Sequence, residues 1–346
     1  MIKAIAFIFP RSSYIVSPLF DWIAFIGAPL IALALGMAIS YDLLPNINLD
    51  LAHYSGHIWG YIALLLTKSH LFITFIRAYG NPEIFSSFKT RFLLVPPILF
   101  AILYFSPMIL AIIIAFNIWW DVYHSACQTY GFTRLYDIRV GNVSEKMRLL
   151  DRCLNVLIYV GPILGGITLI DHIRYMETSF SVGSIFFSSI PFYADLFAAD
   201  ILVFVLIFTV AFLAYYLVVA FQESKKYPLS FQKVFILIFT AIVSILAWGF
   251  NTFGAAFLIM NFFHLWQYYA MIYWTEKSVL KKRFNLDKNT ASFFLMLLLV
   301  TFTLIVSFLS SVTIFERLLL SFFTMVATCH FWFDGFIWSV KKKHIN

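Results

Sequence analysis

The stretch PMILAIIIAFNIWWDVYHSACQTYG, Pro107 to Gly131, decides the fold. From Pro107 to Phe116 no side chain is polar. A helix of about 20 mostly apolar residues crosses the hydrocarbon of a bilayer. Past Phe116 the polar residues Asn117, Asp121, His124 and Gln128 are spaced i, i+4, i+7, i+11, which places them on one stripe of one helix. A charged group at a bilayer centre costs about 2.5–3.5 kcal/mol on insertion scales, so such a stripe faces other helices. The stretch reads as one transmembrane helix of a bundle with a polar interior.

The same reading extends along the chain. Of 346 residues, 62% are apolar and 12% charged, against about 45–50% and about 25% in soluble domains. That composition excludes a soluble globular domain, a disordered chain and a nucleic-acid binder. Ten candidate spans follow, at roughly 18–40, 57–80, 92–105, 107–131, 153–170, 200–221, 233–250, 254–275, 291–310 and 318–340. The third is short and contains Pro96 and Pro97, so a broken or re-entrant segment is an alternative there. Residues 1–17 read as an interfacial stub, and 171–199 as a far-side loop or a lid on the membrane surface. The prediction is an all-α, polytopic bundle of about ten spans, one integral membrane domain over 1–346.

Charge orients it. With a cytoplasmic N-terminus, all of the 24 Lys and Arg except Lys68, Arg174 and Arg317 fall on the cytoplasmic side, as the positive-inside rule requires. Both termini are then cytoplasmic, in a multi-pass protein of a bacterial inner membrane. The net charge of +7 is a topology signal rather than a nucleic-acid footprint. Cys127, Cys153 and Cys329 form no CxxC, which argues against a disulfide framework and a thiolate metal site.

Four of the spans carry histidine beside further polar groups. His70, Thr74 and Arg77 form one stripe; His124 stands on the stripe of Asp121 and Gln128; Asn261, His264 and Tyr268 form a third, with Gln267 beside them; His330 and Asp334 are i, i+4. All four helices run toward the cytoplasm. At 1.5 Å per residue, each histidine lies roughly 10–20 Å from that boundary. Four imidazoles at one depth are expected to converge on a metal ion, with His70, His124, His264, His330 and Asp334 as ligands. Asn117, Thr74, Gln267, Asn261 and Tyr268 would orient them, and Asp121, Gln128 and Arg77 would act on substrate. Asp121 and Asp334 have a second reading, as buried partners of Arg77 or Lys68. His53 and His57 read as a surface pair, and Arg134 and Asp137 as a loop that caps the fourth span or anchors it. Trp22, Trp59, Trp248, Trp274 and Trp338 read as an interfacial aromatic belt.

Imidazole with carboxylate suits iron, copper or zinc, and open positions beside them are the non-haem iron pattern. A site within the bilayer implies a lipid-soluble substrate entering from the side. In carrying single histidines on several membrane helices, at His70, His124, His264 and His330, the chain resembles the Brp/Blh-type carotene dioxygenases. More distantly it is similar to membrane fatty-acid hydroxylases and desaturases. It has no HxxHH box and no His-Gly-x-x-Asp motif. What the resemblance implies is therefore a class: a histidine-ligated, iron-dependent membrane oxygenase, with an electron-donor protein on the cytoplasmic side. The rival expectations are an ion- or proton-coupled transporter built on Asp121, Lys68 and Arg77, and a membrane cytochrome with two of the histidines on haem.

Overall fold

The computed structural model describes residues 10–45, 47–51, 54–166, 184–285, 287, 289–295, 297–298, 301, 305 and 316–338. The described chain is helical apart from a short antiparallel ribbon, β1 (Asn48–Leu51) and β2 (Tyr54–His57), in which Asn48 pairs with His57. The helices are α1 (Pro18–Asp21), α2 (Ala28–Ser40), α3 (Ile58–Gly80), α4 (Pro82–Phe105), α5 (Pro107–Arg139), α6 (Glu145–Leu164), α7 (Ser184–Ser224), α8 (Phe231–Phe250), α9 (Phe253–Phe284) and α10 (Glu316–Ile337).

Among the described residues six helices are long and apolar enough to cross a membrane. A seventh span results if the bent pair Arg11–Ile26 and Ala28–Ser40 is counted as one. The chain is thus a multi-pass, all-α membrane protein. The expected spans at 57–80, 233–250 and 318–340 coincide closely with α3, α8 and α10. The expected spans at 153–170 and 254–275 fall largely on α6 and α9, neither of which is apolar enough to count. Glu145, Lys146, Arg148, Asp151 and Arg152 charge the first half of α6, and the polar stripe and basic end of α9 do the same there. The short candidate at 92–105 is the end of the longer α4, which begins at Pro82, departs from helical geometry at Phe88 and contains Pro96 and Pro97. The expected break after the fourth span is absent, because α5 runs on through Gly131 to Arg139. From residue 184 the expected lid is helical and continuous with α7, whereas 171–183 lies outside the described residues. So do most of 1–17 and much of 291–310.

Two compact units make up the chain. One comprises Met1–Met37 with Val122–His264, the other Ala38–Asp121 with Leu265–Asn346. In the first, a π-helical turn at Trp22–Ile26 bends the chain into α2. Gly27 donates its N–H to Trp22 O at 2.8 Å, and a Cβ at Gly27 would stand 2.6 Å from that oxygen, so this turn requires glycine. Asp21 fixes the approach to the turn. Its buried carboxylate accepts from the N–H groups of Ile15 (2.6 Å), Val16 (3.0 Å) and Ser17 (3.2 Å) and from the Tyr136 hydroxyl (3.1 Å). Gly36 lets α2 close onto α9, since a Cβ there would meet Ile259 Cγ1 at 2.4 Å.

In the second unit α10 packs against α3 and α4. The contact is aromatic: Phe92 meets Phe333 with ring centroids 4.8 Å apart, and Phe88 meets Phe336 at 4.5 Å. Such pairs contribute about 0.5–1.5 kcal/mol each beyond the area they bury. Phe75 of α3 meets the same Phe333 at 5.7 Å, which sets α10 in register with α3 and places the polar groups described next.

Candidate metal centre

The stripes on α3 and α10 face each other in the second unit. The rings of His70 and His330 lie edge to face, with centroids 5.1 Å apart. A nitrogen of each approaches the other within 4.8 Å, and an Asp334 carboxylate oxygen comes equally near a nitrogen of His330. His70, Thr74, His330 and Tyr268 are all buried.

A hydrogen bond determines which nitrogen of His70 carries the proton. Nδ1 of His70 bonds to the carbonyl oxygen of Thr67. A carbonyl only accepts, so Nδ1 is the donor and the lone pair of His70 is on Nε2. Nδ1 of His330 bonds to Thr74 Oγ1. Thr74 Oγ1 also lies 3.2 Å from Asp334 Oδ1 and touches the Tyr268 hydroxyl, so His330, Asp334 and Tyr268 all converge on the one Thr74 hydroxyl. Tyr268, which touches Thr74 through its hydroxyl, donates to the same Asp334 oxygen at 2.9 Å. Two imidazoles anchored through Nδ1, beside a carboxylate oriented by two hydroxyls, is how metal ligands are held by their surroundings. Removing the anchor while keeping its shape, in Thr74→Val, is expected to lower metal affinity about 10–100-fold, as measured by competition with a chelator.

Arg77, expected to act on substrate or to neutralise an aspartate, is engaged elsewhere. Its guanidinium forms a buried ion pair with Glu276 of α9 and stacks on Trp338, 3.9 Å from the ring centroid. Trp338 thus covers a buried cation. Asp334 accepts from the hydroxyls of Thr74 and Tyr268. Asp121 is buried on α5. One turn before it, Asn117 joins α5 to α10, donating to Thr328 Oγ1 at 3.0 Å and to Thr324 O at 3.5 Å. Gln267 is buried on α9.

A second imidazole pair belongs to the first unit. His124 of α5 and His264 of α9 meet with centroids 4.9 Å apart, nearly perpendicular. Gln128 ties the two helices together, its Nε2 donating to the His264 carbonyl at 3.0 Å. Asn261 donates within its own helix, to Phe257 O at 3.2 Å. No family profile, curated protein or solved structure matches this chain. The case for a function therefore rests on these side chains.

Each unit brings together one pair of the four expected histidines. Of the other histidines, His57 caps the start of α3, its Nδ1 accepting from Trp59 N at 3.2 Å, while His53, His172 and His344 lie outside the described residues. Glu276 was not legible as a participant. It stands among basic residues at the end of α9 and reads as part of a charged surface, although its partner Arg77 is on the polar stripe of α3. Arg134 and Asp137 are not in a loop but in the last turns of α5, paired at 3.1 Å.

Proposed function

We propose that this chain is an integral membrane metalloenzyme, an iron-dependent oxidase or oxygenase acting on a lipid-soluble substrate. The observation that supports the reading is the buried approach of His70 to His330 and of His330 to Asp334, with His70 Nδ1 donating to Thr67 O so that its Nε2 is the ligand atom. Two neutral imidazoles and one carboxylate, with positions left open, are the donor set that non-haem iron uses to bind and activate dioxygen. His70 and His330 would hold the metal through Nε2 and Asp334 through an oxygen. Thr74 and Tyr268 keep the His330 ring and the Asp334 carboxylate from rotating. The aromatic packing of α3, α4 and α10 excludes water. Because the surrounding helices are apolar enough to lie in lipid, the substrate would arrive by partition into the bilayer, with electrons supplied by a donor protein at the basic cytoplasmic side.

Metal analysis and an absorption spectrum of the purified protein test this reading together. About one iron per chain without a Soret band is expected. A Soret band would replace the proposal with a haem cytochrome. Absence of any bound transition metal after purification without chelators would replace it with a transporter that uses the same polar groups. The same analysis on His124→Ala and His264→Ala reads whether the pair in the first unit holds metal.

A further inference from the structure

Lys68 is the cation the proposed chemistry leaves unused. It lies on α3 between Ile58 and Gly80, about 15 Å from the first and about 18 Å from the second at 1.5 Å per residue. Its side chain is too short to bring the ammonium to either end of the helix. Among the described residues no carboxylate lies within ion-pair distance of Nζ, and the contact it does make is with the ring of Phe323, 5.9 Å to the centroid. That is the outer limit of a cation–π contact. Phe72, one turn on from Lys68, packs on Phe322 and Phe323, so aromatic rings stand beside it. Lys68 is neither fully buried nor fully exposed, so an acyl chain in the bilayer has access to it. Among the described residues Lys68 is thus an ionisable group without a carboxylate partner in a helix apolar enough to cross a membrane, and such a group is read as a candidate ligand site.

We infer that Lys68 anchors the carboxylate of a single-chain lipid substrate. This rests on the proposed metal-dependent activity and adds the class of molecule on which it acts. A carboxylate enters the hydrocarbon in its protonated form and ionises against the ammonium, whereas a phosphate headgroup stays at the interface. On α10, Phe323 precedes His330 by two helical turns on the same face, about 10 Å. A head held at Lys68 therefore puts carbons well along the chain, not those beside the carboxylate, at the depth of His330.

The test is binding of radiolabelled oleate, oleyl alcohol and oleoyl lysophosphatidate to the full-length protein in detergent, with metal content measured on the same samples. Wild type is expected to bind oleate at least about tenfold more tightly than the alcohol, as a charge-assisted pair in a low dielectric would give. Lys68→Met should lose that preference without losing metal, and Lys68→Arg should keep most of it. Equal binding of oleate and alcohol by wild type, or unchanged oleate binding by Lys68→Met, would overturn the inference. Tighter binding of lysophosphatidate than oleate would overturn the carboxylate assignment. Wild type that holds metal but shows no preference for oleate removes this inference alone, and wild type that prefers oleate but holds no metal removes the metal reading alone.

Discussion

His330→Ala protein is expected to bind iron more than about 100-fold more weakly than wild type. Loss of a group that merely orients a ligand costs about 10–100-fold, and in the proposed function His330 is a ligand itself. It also organises the rest: Thr74 is held between its Nδ1 and Asp334, and its ring faces that of His70. His70→Ala should behave alike, because its Nδ1 proton is committed to Thr67 O and its lone pair points the other way. His57→Ala is the control, since that imidazole caps α3 outside the cluster. Iron content and chelator competition provide the measurement, with His330→Asn as a second variant that leaves less of a void. Undiminished iron in both His330 variants would show that the His70–His330 contact is only a packed pair joining two helices.

What could be read in advance was what obeys helical periodicity. The intervals His70 to Thr74 and His330 to Asp334 fix a face on each helix, and two such faces that are polar in an apolar medium have to meet. Tyr268 was legible for the same reason, as a member of the α9 stripe. Contacts made across sequence by charged residues near helix ends were not. Glu276 meets Arg77 from the far end of α9, and nothing in the spacing of either signals the other. Glycine in the sequence predicts an end to the fourth span at Gly131, but the helix continues to Arg139. A Cβ at Gly131 would meet nothing within 4 Å, so this residue is tolerated in a helix that tertiary packing continues, rather than demanded by a turn. Pro96 and Pro97 misled in the same direction. They sit inside α4, whose departure from helical geometry is earlier, at Phe88.

The largest effect on stability is expected from Lys233→Met. Lys233 enters α8 with its ammonium buried between two carboxylates, 3.0 Å from Asp137 of α5 and 2.5 Å from Asp151 of α6. Arg134 also meets Asp137, at 3.1 Å, and Tyr216 of α7 donates to Asp151 Oδ1 at 2.7 Å. Four helices of the first unit thus close on two cations and two anions. Methionine fills the volume of the lysine but leaves Asp151 ionised with one hydroxyl for company, while Asp137 keeps Arg134. Stranding one charge of a buried pair costs about 3–5 kcal/mol. Arg134→Met should cost less, because Lys233 continues to serve Asp137. The decisive comparison is Lys233→Met with Asp151→Asn in the same chain. Removing the stranded anion should restore part of the lost stability, so the double variant is expected to melt at a higher temperature than Lys233→Met alone in detergent. A double variant that melts lower would mean that Asp151 stabilises the unit through Tyr216 and its own helix rather than through the ammonium. Lys233→Met indistinguishable from wild type would mean that desolvation already cancels the attraction within the cluster.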